Sequence, residues 1–273
     1  TVRSLNGLKN RAEILAAEHS IGHMKSLDMA AQELGFSSYK KAQQVLPPKM
    51  FMIQVKVNWC ESQRNQRGVE TLSYPFLQPL GQMLESAKVR RRQRLGRFVM
   101  TSPDVLEMKL DVEQEAQSEA RRFACQALRR LMLMEALDIK PAPEKVIGWP
   151  TVVDHHDGVK FNGPLRMPGT DHHSVWVTRE GAVLIVDEPY ADRFDPLEML
   201  EEQSGWCEQF GFERVTPVWK GMHNPGAGTQ MSILVHKSAG VNLQQMAEKL
   251  ALLPDDFCQK DWPGISTSSR YTK

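Results

Sequence analysis

The sequence predicts an α+β fold, with a helical N-terminal module, then a β-hairpin with long helices, then a C-terminal antiparallel sheet with helices. Three observations support this prediction. Apolar residues recur at helical spacing before residue 47, they alternate from residue 51, and strand-like and helix-like stretches mix after residue 144. In that last part hairpins join strands as often as helices do, which favours antiparallel pairing. Proline-rich joints divide the chain into residues 1–48, 49–143 and 144–273.

The first segment predicts three helices. The inward residues of the first two repeat every three or four positions, as one buried helical face requires. They are Leu5, Leu8, Ala12 and Leu15, followed by Leu27, Ala30, Ala31 and Leu34. Gly35 suits a left-handed C-terminal cap, and Ser37 or Ser38 can cap a short third helix.

The second segment opens with the clearest strand of the chain. Apolar and polar residues alternate from Phe51 to Cys60, and a return strand carries Leu72, Tyr74 and Phe76 on one face. A first helical pattern lies around Leu80. We expect a longer helix from Ser102-Pro103, a cap followed by proline at the first helical position, and its stripe continues through Ala116 to Leu131.

The third segment predicts a hairpin, a helix, two strands and a last helix before a polar, loose tail. These stretches are Val175–Thr178 with Ala182–Val186, a helix that begins at Asp195-Pro196, strands near 214–219 and 231–236, a helix from 242 to 253, and the tail 266–273.

Composition and charge exclude several classes of protein. The chain of 273 residues has a net charge of +1, so it has no overall attraction to nucleic acid or membrane. It contains no apolar run of about eighteen residues, and therefore no predicted membrane span. The start, Thr1–Asn6, lacks the order of a signal peptide. Its four cysteines form no Cys-x-x-Cys pair, which suits a reducing compartment, and we expect a cytoplasmic protein.

The densest set of reactive side chains is a duplicated tripeptide. Asp154-His155-His156 and Asp171-His172-His173 hold four of the eight histidines. Histidine with carboxylate is a ligand set for zinc, iron or manganese. Neighbours on a strand point to opposite faces, so His172 and His173 reach one ion only from a loop. The candidate divalent-metal site takes one carboxylate, one histidine of each pair, and His223.

The alternative is structural. Glycines and prolines between the two pairs indicate a loop-rich neighbourhood, in which histidines simply form hydrogen bonds beside turns. Val152–His156 is similar to the Asp-His-His motif of a phosphoesterase family, but this chain lacks the upstream Asp-x-Asp that the family also needs. Asp187-Glu188-Pro189-Tyr190 leaves two interpretations open. Carboxylates at a strand end suit acid–base chemistry or metal ligation, whereas the proline is typical of a solvated turn.

A basic stretch is the second candidate site. It contains no acidic residue and comprises Lys88, Arg90, Arg91, Arg92, Arg94 and Arg97. Such a cluster can neutralise the phosphates of a nucleic acid. Two further pairs, Arg121-Arg122 and Arg129-Arg130, follow on the predicted helix. The alternative is a solvated helix face whose arginines pair with nearby acidic residues.

Two parts of the sequence resemble known bacterial families. Gly22–Asp28, continuing through Ala31–Phe36 to Tyr39, resembles a helical segment found alone and attached to glyoxalase-related proteins of plasmids and other mobile elements. The remainder resembles a domain of unknown function at Arg67–Leu72, Asp171–Trp176 and Asp187–Tyr190. The resemblance implies a bacterial origin and a mobile-element context, but neither an activity nor site residues.

Three functions therefore compete. The first hypothesis is an accessory protein that binds nucleic acid or a protein partner through the stretch from Lys88 to Arg97. The second is a metal-dependent enzyme centred on the two Asp-His-His tripeptides and His223. The third is a purely structural role.

Overall fold

The computed structural model describes residues 5–46, 50–84, 95–142, 151–156, 159–164, 172–190, 196–223, 226 and 228–271, with backbone only for 6, 151–156, 159–164 and 196–200. The chain forms two compact units, an N-terminal unit of Thr1–Phe51 and a C-terminal unit of Met52–Lys273. The boundary expected at residue 143 falls inside the second unit.

The described helices are α1 Leu5–His19, α2 His23–Glu33, α3 Tyr39–Val45, α4 Leu80–Met83, α5 Ala116–Leu137, α6 Pro196–Phe210 and α7 Leu243–Ala251. The described strands are β1 Phe51–Glu61, β2 Gln66–Phe76, β3 Val99–Ser102, β4 Val105–Val112, β5 Ile139–Pro141, β6 Thr151–His156, β7 Val159–Pro164, β8 Ser174–Thr178, β9 Val183–Asp187, β10 Phe212–Val215, β11 Ser232–His236 and β12 Ile265–Arg270. This mixture of helices with separate sheets confirms the α+β prediction.

The N-terminal unit has the three helices that its periodicity predicts. The expected inward faces form its core, which comprises Leu8, Ala12, Leu15, Leu27, Ala30, Ala31 and Ala42. Gly35, with φ +83°, follows α2 in the left-handed conformation that glycine adopts readily. Ser38 is the cap of α3, because its side chain accepts a hydrogen bond from the Lys41 amide.

The first sheet of the C-terminal unit has the strand order β12-β2-β1-β4-β3. Strands β1 and β2 lie side by side, as the predicted hairpin requires, and β4 runs parallel to β1. The stripe from Ala116 to Leu131 forms α5 as predicted, but the helix start expected at Ser102-Pro103 is wrong. Those residues lie at the end of β3 and in the turn before β4, and the inward side chains of β4 alternate at Leu106, Met108 and Leu110.

The tail was expected to be loose, and this is also wrong, because residues 265–270 form β12 along the edge of the first sheet. A polar contact holds it there. Glu70 is buried on β2 and accepts hydrogen bonds from Ser266 of β12 and from Arg121 of α5. The buried carboxylate thus has charged and neutral donors, as burial of a charge requires.

Helix α5 is the centre of the C-terminal unit. It contacts β2 and β4 of the first sheet, and also β5 and α7. Residues 124–134 are all buried, which is typical of a helix covered on every side. This run includes Arg129 and Arg130, so the expectation that these two arginines belong to a basic surface is wrong.

The second sheet is antiparallel, with the order β10-β11-β9-β8-β5. One face belongs to the core around α5, through Leu184, Val186, Ile233 and Val235. The other face packs Ile185 and Leu234 against Trp206 of α6. Helix α6 begins at Pro196, as the sequence predicts, and α7 is capped by Asn242, whose side chain accepts from the Gln245 amide. Strands β6 and β7 pair as a separate hairpin.

Candidate functional site

A cavity of about 280 Å³ lies where the start of β8, the end of β9, the segment 219–223 and α5 meet. We call it the histidine cavity. Polar and apolar side chains share its lining, which comprises Arg130, Ala142, His172, His173, Ser174, Val175, Trp176, Glu188, Met222 and His223.

Two histidines far apart in sequence stack in its wall. The ring centroids of His172 and His223 are 3.4 Å apart, and the ring planes are tilted by 31°. Tyr190 lies beside both, with its ring edge-on to His172 and its hydroxyl 3.4 Å from Nε2 of His223. Two imidazole rings and a phenol ring are therefore in mutual contact. All three groups can donate or accept a proton.

Glu188 fixes the backbone on which His223 lies. It is 3% exposed, and its Oε1 accepts hydrogen bonds from the amides of Met222 and of His223, the latter at 2.9 Å. Burial raises the pKa of Glu188 above its ordinary value, and the two amide hydrogen bonds oppose that shift, followed by the charges of Arg130 and Arg129. The carboxyl group of Glu188 thus positions the backbone of Met222 and His223 in the cavity wall.

Close packing against Glu188 explains why glycine occupies position 221. Gly221 has φ +84°, and a Cβ there would lie 2.2 Å from Oε1 of Glu188. A residue with a side chain would have to displace the carboxylate. The segment and the carboxylate therefore fit each other only with glycine at this position.

The structure brings together part of the predicted metal site. His172 and His223 are in contact, and His173 lines the same cavity, although it is exposed. Asp154, His155 and His156 lie on β6, and their side chains are outside the described residues, as is all of Asp171. Within the described ranges, no group of three or more His, Cys, Asp or Glu side chains is arranged to hold a metal ion. The divalent-metal site stays a prediction.

Most of the predicted basic site lies outside the described residues, namely Lys88, Arg90, Arg91, Arg92 and Arg94. Arg97 is described and exposed. Its guanidinium carbon lies 5.2 Å from the centroid of the Phe123 ring, and that of Arg122 lies 4.7 Å from the same centroid. These distances suit cation–π contacts.

Sequence reasoning did not place Arg130 or Trp176 in one site with the histidines, and it left Glu188 undecided. Asp187 and Glu188 are buried, so the solvated-turn interpretation is wrong for them. The apolar run Val183–Val186 directly before them was the available signal, because a strand that is buried to its end also tends to bury the next residues. Nothing in the local sequence of Arg130 indicates the cavity.

Comparisons of the chain with protein-family models, with curated protein sequences and with solved structures found no match. The resemblances drawn from Gly22–Tyr39 and from the later segments therefore stay predictions. Among the helices that the structure describes, none has the length and apolar character needed to cross a membrane.

Proposed function

We propose that the C-terminal unit is an enzyme that binds a small polar molecule in the histidine cavity and exchanges protons with it through His172 and His223. The stacked contact of these two rings in the cavity wall is the observation that supports this function. Imidazole is the side chain most often used as a general acid or base, and Tyr190 adds a hydroxyl within reach of His223.

The size and lining of the cavity favour a small ligand. Its volume of about 280 Å³ is just below the range of roughly 300–1,000 Å³ for small-molecule sites. Its lining combines the apolar surfaces of Trp176, Val175 and Met222 with the charged groups of Arg130 and Glu188. Apolar walls with a few convergent polar groups are typical of sites that bind a metabolite.

Ligand-observed NMR with a fragment library of carboxylates, phosphates and amides tests the binding. We expect fragments to bind the wild type and to lose about tenfold in affinity in His223→Ala, the size expected when a charged hydrogen-bond partner is removed. His236→Ala is the matched control, because His236 is exposed and contacts Ser238. The proposal fails if no fragment binds at millimolar concentration, or if both variants bind equally.

Catalysis is tested on the compounds that bind. Glutamine can make hydrogen bonds but cannot pass a proton at neutral pH. We therefore expect His172→Gln and His223→Gln to retain binding and to lose conversion of the compound, followed by NMR over hours. Conversion at the wild-type rate in both variants would contradict the proton-transfer role.

A second proposed function is nucleic-acid binding by the basic stretch from Lys88 to Arg97, supported by its six basic residues with no acidic residue among them and by the exposure of Arg97. Fluorescence anisotropy with a labelled oligonucleotide tests it. Replacing Arg90, Arg91 and Arg92 with alanine should weaken binding and reduce its dependence on salt, because fewer counterions are released. Absence of binding by the wild type even at low salt would contradict this function.

A further inference from the structure

The segment 219–223, which carries His223, is held from two opposite directions. On one side Glu188 accepts the amides of Met222 and His223. On the other side Arg129 of α5 donates from Nε to the carbonyl oxygen of Gly221. The C=O of Gly221 and the N–H of Met222 belong to the same planar peptide unit. A cation therefore binds one end of that peptide and a carboxylate binds the other.

Arg129 is itself fixed by two further contacts, one to Asp255 and one to Trp219. It is 0% exposed, its Nη2 lies 2.8 Å from Oδ1 of Asp255, and its guanidinium carbon lies 4.5 Å from the Trp219 ring centroid. Asp255 Oδ1 also accepts the Lys220 amide at 3.1 Å. One arginine thus joins the segment's backbone, an aromatic ring of the segment and a carboxylate that also binds the segment.

We infer that Arg129 is a positioning residue that sets the ring of His223 against His172, an inference that rests on the proposed function of the histidine cavity. Because the peptide between Gly221 and Met222 cannot rotate without breaking a charge-assisted hydrogen bond, the Cα of His223, one residue further on, has a fixed place. The His223 ring then keeps its 3.4 Å contact with His172 in the ligand-free protein. Preorganisation of this kind is what a catalytic group needs.

If Arg129 only stabilised the fold, replacing Arg129 and replacing Arg121 should change the segment 219–223 equally. Arg121 is therefore the matched comparison. Arg121 lies on the same helix, pairs with the carboxylate of Glu70 at 3.0 Å and stacks on the Trp262 ring at 5.5 Å. These contacts resemble those of Arg129, but they join α5 to β2 and β12 of the first sheet. Lysine at either position keeps the charge and loses the forked geometry.

The test uses the full chain, without ligand, and compares Arg129→Lys with Arg121→Lys. Amide hydrogen exchange is measured for Met222 and His223, and the NMR contact between the rings of His172 and His223 is recorded. We expect Arg129→Lys to speed exchange of both amides about tenfold, a local opening rather than global unfolding, and to weaken the ring contact. Arg121→Lys should leave both readouts at the wild-type values.

If Arg129→Lys does not fold, Asp255→Ala decides, because Asp255 is 38% exposed and holds both Arg129 and the Lys220 amide. The same loss of amide protection and of ring contact is expected there. Unchanged readouts in the folded variant, or equal changes in Arg121→Lys, would overturn the inference. A cavity that binds no fragment would refute the proposed function and leave these ligand-free measurements unaffected.

Discussion

Replacing Gly221 with alanine should lower the free energy of unfolding far more than the same substitution does at a glycine with open space around it. The first cost is the backbone, since φ is +84° and an L-residue in the left-handed region is strained by roughly 1–2 kcal/mol. The second is the new Cβ, which would lie 2.2 Å from Oε1 of Glu188 and 3.0 Å from Cβ of Met231. Glu188 is buried, so its carboxylate can move only by giving up its hydrogen bonds to the Met222 and His223 amides.

Hydrogen bonds to a charged group contribute about 1.5–3 kcal/mol. If the displaced carboxylate loses one of these two hydrogen bonds, adding the backbone strain gives a total of roughly 2.5–5 kcal/mol for Gly221→Ala, a large part of the usual stability of a domain. Urea unfolding at 25 °C measures this free energy. Gly181→Ala is the control, because Gly181 has φ +89° and nothing lies within 4 Å of the position that a Cβ would take there.

Gly181→Ala should therefore show the backbone strain alone, about 1–2 kcal/mol. The difference between the two variants then isolates the displacement of Glu188. A double-mutant cycle with Glu188→Ala checks the cause, because the cost of Gly221→Ala should shrink when the carboxylate is already absent. If the two glycine substitutions lower the free energy of unfolding equally, or if the effects of Gly221→Ala and Glu188→Ala simply add, a Cβ at position 221 does not displace Glu188.

Two further predictions concern groups away from the cavity. Burial raises the pKa of Glu135, which accepts a hydrogen bond from the Gln78 amide at 2.8 Å, so the carboxyl group keeps its proton to higher pH in the folded state than in the unfolded state. The stability of the wild type relative to Glu135→Gln should therefore be greatest below the ordinary pKa of glutamate and fall as pH rises through the raised pKa. Urea unfolding between pH 4 and 7 measures this dependence, and the opposite slope would contradict the prediction. Ser38→Ala removes the side chain that caps the Lys41 amide and should destabilise α3 by about 1 kcal/mol. The loss is measured as faster hydrogen exchange of the Lys41 amide, and Ser37→Ala, the control, should change that exchange rate little. Equal effects of the two substitutions would contradict the assignment of Ser38 as the cap.

Local sequence was sufficient to predict a helix or strand where one face of the element is buried and its ends carry a clear capping or turn signal. The alternation from Phe51 to Cys60 and the cap-and-proline start of α6 both led to elements that the structure contains. Ser102-Pro103 misled, because serine followed by proline suits a turn as well as a helix start. The deciding signal was the period-two spacing of Leu106, Met108 and Leu110 directly after it.

The burial of the two central arginines could not be predicted from their neighbours in sequence. Arginine is mostly exposed in proteins, and the groups that bind Arg129 are 92 and 126 residues away, at Gly221 and Asp255. A partial signal existed, because apolar residues surround the arginines on every side of the helix, at Ala127, Leu128, Leu131, Met132 and Leu133. Such a helix has no solvated face, so any charge on it needs a buried partner.

The buried arginines of α5 connect this helix to the candidate site. Arg129 and Arg130 are consecutive, so their side chains leave the helix about 100° apart. Arg129 binds the segment that carries His223, while Arg130 lines the histidine cavity itself. Truncation of either arginine would remove a positive charge that acts on the buried Glu188. The geometry of the cavity and the stability of the unit therefore depend on the same helix, and the histidine pair is held in place by interactions that folding itself requires.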